Sequence, residues 1–135
     1  MVPVLEGVYN QKSKMAHIAL PDSSISRGKD ISQEYGKYAD TAVQAVLERM
    51  LQLGLKKENI IIKIVGGSSM FNFNSNSDLL NIGHKNTIAV KKAIANLGLV
   101  IHRADTGGNK KRTFKLNVLK GTFYLKTIGQ KEIEF

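Results

Sequence analysis

The chain has 135 residues, 42% hydrophobic and 23% charged, with a formal net charge of +9 and no cysteine. It is long enough for one globular domain that buries its own core, and its composition excludes disulfides, thiolate metal centres and a disordered chain. Met1 to Glu6 show no basic segment leading into an apolar one, and nowhere do 18 apolar residues run together, so a cytoplasmic protein is expected.

The first elements are two strands, Val2 to Tyr9 and Lys14 to Leu20, about the polar turn Asn10-Gln11-Lys12-Ser13. Asp22 to Glu34 is rich in Ser, Asp and Gly and reads as a surface loop. Ala39, Ala42, Val43, Val46, Leu47 and Met50 then fall at helical spacing, with Gln44, Glu48 and Arg49 facing away and Gly54 closing the helix. Ile60 to Val65 is almost continuously apolar and β-branched, as in a strand covered on both faces, and it stops at Gly66-Gly67.

A second helix carries Ile82, Asn86, Ala89, Val90, Ala93, Ile94 and Leu97 on one side and ends at Gly98. Leu99-Val100-Ile101 opens another buried strand. Leu53-Gly54-Leu55 and Leu97-Gly98-Leu99 end the two helices alike, and each leads through a strand into a Gly-Gly pair, a weak internal repeat. Last comes a hairpin in which Phe114, Leu116 and Val118 oppose Phe123, Leu125 and Thr127 about Lys120-Gly121. The expected architecture is an α/β layered sandwich, a mixed β-sheet with two long helices packed on it, spanning residues 1–135 as one domain.

Four polar segments close apolar runs: His17 to Ser23, Val65 to Phe71, Asn81 to Asn86, and Asp105 to Asn109; a fifth, Gly36 to Ala42, opens the first helix. In this order, from about Tyr9 onward, they resemble the CheD family, the chemoreceptor glutamine deamidases of bacterial chemotaxis. The resemblance implies an α/β sandwich, and a histidine, here His17, that activates a cysteine to attack the side-chain amide of a receptor glutamine. Ammonia leaves, and water hydrolyses the thioester to glutamate. It also implies two partners, the cytoplasmic domain of a methyl-accepting receptor and a CheC-type phosphatase.

The family's cysteine has no counterpart among these residues. Its Gly-Ser-Cys-Val stretch falls at or just before Met1, and a gapped alignment sets Val2-Pro3-Val4 against Ser-Cys-Val; the family's catalytic threonine lies further upstream still. The first strand is therefore expected to be missing or altered. A late start site, a truncated chain and a natural loss of catalysis each account for this, and a catalytically inactive module that binds receptor or phosphatase is the alternative function.

On the residues themselves, His17 lies on a strand of alternating pattern just before Pro21 ends it, where it can take a proton near neutral pH and pass it to a leaving amine, or simply bond to backbone. The amides of Gly66, Gly67, Ser68 and Ser69 either orient a substrate amide and its oxyanion or only shape a loop. Neither serine sits in a Gly-x-Ser-x-Gly elbow. Met70 and Phe71 are apolar anchors for a partner or else core. Asn81, Gly83 and Asn86, with Asp105, Thr106, Gly107, Gly108 and Asn109, complete the rim that the resemblance implies. Gly107 to Arg112 lacks the Gly-Lys-Ser/Thr ending of a phosphate loop and reads as a basic turn, with Asp105 as a paired structural carboxylate.

His17, His84 and His102 lack metal-ligand spacing, so no metal is expected, and no cofactor. From Lys85 to Lys126 ten Lys or Arg stand against the single acid Asp105. Such a face steers acidic partners of any chemistry, so a basic nucleic-acid-binding domain is the alternative from another class. It requires Phe114, Phe123 or Tyr124 to be free to stack bases.

Overall fold

Apolar side chains recurring every three or four residues set both long helices and their faces. The computed structural model describes residues 12–28, 30, 34–69 and 81–135, and the backbone of 4–9. Helix α1 spans Ala39–Gln52 and buries Ala39, Ala42, Val43, Leu47 and Met50, while Gln44, Glu48 and Arg49 are exposed. Helix α2 spans Ile82–Asn96 and buries Gly83, Asn86, Thr87, Val90 and Ile94. Both end in the same closure: Leu55 N–H donates to the Met50 carbonyl at 3.2 Å, and Leu99 N–H to the Ile94 carbonyl at 3.1 Å. Gly54 and Gly98 between them sit at φ 88° and 68°, which favours glycine.

Strands β1 (Val4–Tyr9) and β2 (Lys12–His17) form an antiparallel ladder that pairs Val4 with His17. Strands β3 (Ile62–Gly66) and β4 (Ile101–Thr106) are parallel, joined through α2. Strands β5 (Arg112–Asn117), β6 (Thr122–Thr127) and β7 (Ile133–Glu134) form an antiparallel ladder in chain order. Parallel and antiparallel pairing are mixed, as expected, and among the described residues they fall into three short ladders, with β1 lying beside β3.

Alternation along β3 divides the interior. Ile62 and Ile64 join the helices, Ile18 and Leu55 in the larger core. Val65 turns the other way and packs with Phe123, Leu125 and Phe135 in a second core against the hairpin. Strand β3 is thus covered on both sides, as its β-branched run predicts, and the α/β sandwich has helices, β3 and hairpin as its layers. Each side chain fully buried there contributes about 1.5–3 kcal/mol.

Two expectations are corrected. Leu99-Val100-Ile101 does not open a buried strand: Val100 is 70% exposed and His102 to Ala104 face solvent, because β4 lies at the outside of its ladder with β3 on one flank. The hairpin partners are as expected at Phe114–Leu125 and Leu116–Phe123, but Val118 belongs to the turn and is exposed. Phe114 and Phe123 stack at 5.8 Å between centroids, and Phe135 meets Phe114 edge-on at 5.9 Å. With Phe123 buried, and Phe114 packed against it, neither ring offers a face to a nucleic-acid base.

Candidate functional site

His17 is the last residue of β2 and exposed, and its side chain makes no hydrogen bond or ion pair among the described residues. Ala16 and Ile18 on either side of it are buried, so the strand is fixed while the imidazole points away from the core. The chain beyond is tied down: Ala19 and Leu20 N–H both donate to the Lys37 carbonyl at 2.9 Å, and Ala39 N–H to the Leu20 carbonyl at 2.9 Å. Asn86, fully buried on α2, adds a bond from Nδ2 to the Ala19 carbonyl at 2.9 Å. His17 is therefore held two residues from a carbonyl clamped by the second helix.

The turn that follows is organised by Asp22, which caps the short 3-10 turn Ser23–Ser26 and accepts the Ser24 N–H at 2.7 Å. Hydrogen bonds from the Ser24 hydroxyl and then the Ser24 amide hold the Asp22 carboxyl below its ordinary value of 3.8. Asp40, in the first turn of α1, accepts from both the amide and the hydroxyl of Ser23 at 3.0 and 2.6 Å.

The ends of β3 and β4 are joined by backbone. Gly107 N–H donates to the Gly66 carbonyl at 2.9 Å and Ser69 N–H to the Gly108 carbonyl at 2.9 Å, so the two predicted glycine segments form one double loop. Gly66 and Gly67 have φ of 119° and 67°. Gly83 packs against this loop from α2: a Cβ there would lie 2.7 Å from the Gly67 carbonyl oxygen. Thr87 bonds the Gly83 carbonyl at 2.9 Å. Arg112, on β5, donates to Asp105 Oδ1 at 2.7 Å and to the Gly107 carbonyl at 2.8 Å, making Asp105 a paired carboxylate.

Of the predicted rim, the structure unites Gly66, Gly67, Ser69, Gly83, Asp105, Gly107 and Gly108. Thr106 ends β4, Ser68 is half-buried, and Asn81 and Asn109 are exposed. Met70 and Phe71 lie outside the described residues. Ala19, Thr87 and Arg112 escaped the reading of the sequence. Arg112 had a signal there, since with Lys110 and Lys111 it is one of the three consecutive cations that follow the lone acid Asp105. His102 also has a local role: its Nδ1 accepts the Ile62 N–H at 3.0 Å where the β3–β4 register shifts.

Beside His17 runs a groove of about 410 Å³ between β2 and α1. Met15, Ala42, Ala45 and Val46 line it, with Lys14 and Arg49 as its cations. The sequence matches the family described as CheD chemotactic sensory transduction over residues 19–127. The chain belongs to the CheD family. A Bacillus licheniformis relative, chemoreceptor glutamine deamidase CheD, is 37% identical over 91% of this chain and 74% of its own length. The Bacillus subtilis protein of that name is 34% identical over 96% and 76%, and the Thermotoga maritima one 41% identical over 85% and 68%. The CheD segments quoted from the sequence are the ones that tie β2, β3, β4 and α2 together here.

Proposed function

We propose that this CheD protein acts in the cytoplasm on chemoreceptor glutamines, with His17 as its base and the joined β3 and β4 loops as part of the cleft rim. What carries the reading is the family membership, at 34% and 37% identity to deamidases over nine-tenths of the chain, combined with the exposed His17 on an anchored strand end. In the reaction a thiolate attacks the carboxamide carbon, the C–N bond breaks as the imidazolium gives its proton to departing ammonia, and water cleaves the thioester. His17 then serves as base for that water. Ser69 N–H and Gly107 N–H are already committed to carbonyls, so among the described residues the loop's uncommitted amides, those of Gly67, Ser68 and Gly108, are its proposed oxyanion donors.

The thiol is not among these 135 residues, which contain no cysteine. Val4 pairs with His17, so the start of β1 lies against the histidine, the strand end at which the proposed chemistry is centred. Base, rim and docking surface need no thiol, and binding is therefore the part of the function to test on the chain as it stands. A CheC-type phosphatase is the second proposed partner, meeting the same rim. Calorimetry against a receptor cytoplasmic fragment and against a CheC-type phosphatase should show binding at tens of micromolar or tighter. The basic face should make that binding weaken with salt. Absence of binding to both partners would remove the reading.

A further inference from the structure

The groove beside His17 has a polarity along its length. Helix α1 runs antiparallel to β2: Ala39 N–H bonds the Leu20 carbonyl just past the end of β2, while Lys12 at the start of β2 bonds the Leu53 carbonyl at the end of α1. His17 and Ala42 therefore mark one end of the groove and Lys14 and Arg49 the other. Three residue steps along β2 separate His17 from Lys14, an axial rise of about 10 Å at 3.3 Å per residue, with the two side chains on opposite faces of this edge strand. Seven helix residues separate Ala42 from Arg49, about 10.5 Å at 1.5 Å each.

Between the ends the lining is apolar and small, Ala42 and Ala45 with Met15 and Val46, and Met15 is 46% exposed. No carboxylate stands among the described lining residues. Nearby acids are engaged elsewhere: Glu48 with Gln44, Asp40 with Ser23, and Glu34 with Lys37. Lys14 and Arg49 are both exposed, and among the described residues the Arg49 guanidinium has only the neutral Gln52 amide as its partner. Along Lys12 to His17 the far edge of β2 carries no further ladder among the described residues, so the groove is open on that side.

We infer that this groove takes a helical acidic segment and selects a glutamine with a carboxylate two helical turns away, the glutamine at His17 and the carboxylate at Lys14 and Arg49. This rests on the function proposed above and adds to it a sequence preference. Two helical turns span about 10.8 Å, which matches the separation of the groove's ends. Small side chains on the floor let a helix backbone come close, and the two cations make the far end complementary to an anion and hostile to a lysine. Lys14 and Arg49 are thus specificity-determining residues and take no part in the chemistry.

The test uses the full chain and three helical peptides with one central glutamine: glutamate at positions seven before and seven after it, glutamate moved to five before and after on another helix face, or lysine at the seven-residue positions. Fluorescence anisotropy at low salt should give about fivefold tighter binding of the first peptide than of the second, and weaker binding still of the third. In Lys14→Gln/Arg49→Gln the preference should fall below twofold, while Lys110→Gln/Lys111→Gln on the basic turn keeps it. A preference that survives the groove variant, one that vanishes only in the turn variant, or no binding of any peptide would overturn the inference. So would a dimer in sedimentation that the groove variant dissociates, since a second copy would then be the occupant. If the receptor fragment binds and the peptides show no preference, the groove inference fails while the proposed function stands.

Discussion

Gly67 and Gly83 meet backbone against backbone, so closely that a Cβ on Gly67 would lie 2.2 Å from Thr87 Oγ1 and 2.9 Å from the Gly83 carbonyl oxygen. The contact locks the β3 exit loop onto the first turn of α2. In a free helix Gly83→Ala would gain about 1 kcal/mol. Here overpacking against backbone costs about 1–3 kcal/mol and wins, so net destabilisation is expected. Gly67→Ala adds a strained φ of 67° and should lose about 3 kcal/mol. Gly36→Ala, where a Cβ meets nothing within 4 Å, should be neutral or stabilising by up to about 1 kcal/mol. Urea denaturation of the three variants checks the order.

Asn86 separates two effects at one buried position. Its Nδ2 holds the Ala19 carbonyl, and its Oδ1 is buried without a partner among the described residues. Asn86→Ala should cost about 2 kcal/mol, mainly through the carbonyl left unbonded. Asn86→Asp should cost more, about 3 kcal/mol or above at pH 7, because it buries a carboxylate against that carbonyl. A carboxyl so placed has a raised folded-state pKa, hence the folded state binds more protons and Asn86→Asp should regain stability as pH falls. Chemical denaturation at pH 7 and pH 5 reads both.

Much of this was legible in the sequence. The helical stripes, both glycine closures, the β-branched β3 and the Phe114–Leu125 and Leu116–Phe123 pairs follow from periodicity, because each concerns residues close in the chain. Position at the outside of a ladder was not legible: the start of β4 is as apolar as a central strand, and only the pairing order exposes it. Phe135 gave no periodic signal, yet it is 5% exposed beneath Arg103, whose guanidinium lies 4.5 Å from the ring. Of the site, the motif segments were readable as groups, whereas the Gly67–Gly83 contact, the Asn86 clamp and the β2–α1 groove depend on distant segments meeting.

Arg112 should resist conservative replacement. Its guanidinium spans Asp105 and the Gly107 carbonyl from a side chain only 11% exposed. Lysine offers one point charge and cannot fork across both acceptors. Arg112→Lys should lower stability by about 1–2 kcal/mol and speed amide exchange at Gly107 to Asn109, leaving α1 protected. Hydrogen exchange with a thermal melt measures this, and unchanged loop exchange would contradict the bracing role.

Asp22 gives the native chain a local acid response. Its folded carboxyl titrates below 3.8 through the Ser24 hydroxyl and amide bonds. For a depressed carboxyl the stabilisation is present above the unfolded pKa and is lost as pH falls through the folded one. The Ser24 amide resonance should therefore move with the Asp22 carboxyl, and only below about pH 4. In Asp22→Asn that acid transition should disappear.

The account's central claim is that the strand ends at Val4 and His17 are where the chemistry of a CheD deamidase belongs. Its most direct measurement is mass spectrometry of a receptor cytoplasmic fragment, counting the shift of about one dalton from glutamine to glutamate. The cysteine-free chain should give no conversion, since loss of the nucleophile in comparable hydrolases costs on the order of a millionfold. Placing a thiol in the two positions before Val4, as Val2→Cys or Pro3→Cys, should restore conversion in at least one, and His17→Gln in that background should abolish it. Conversion by the cysteine-free chain, or conversion that persists without His17, would contradict the claim.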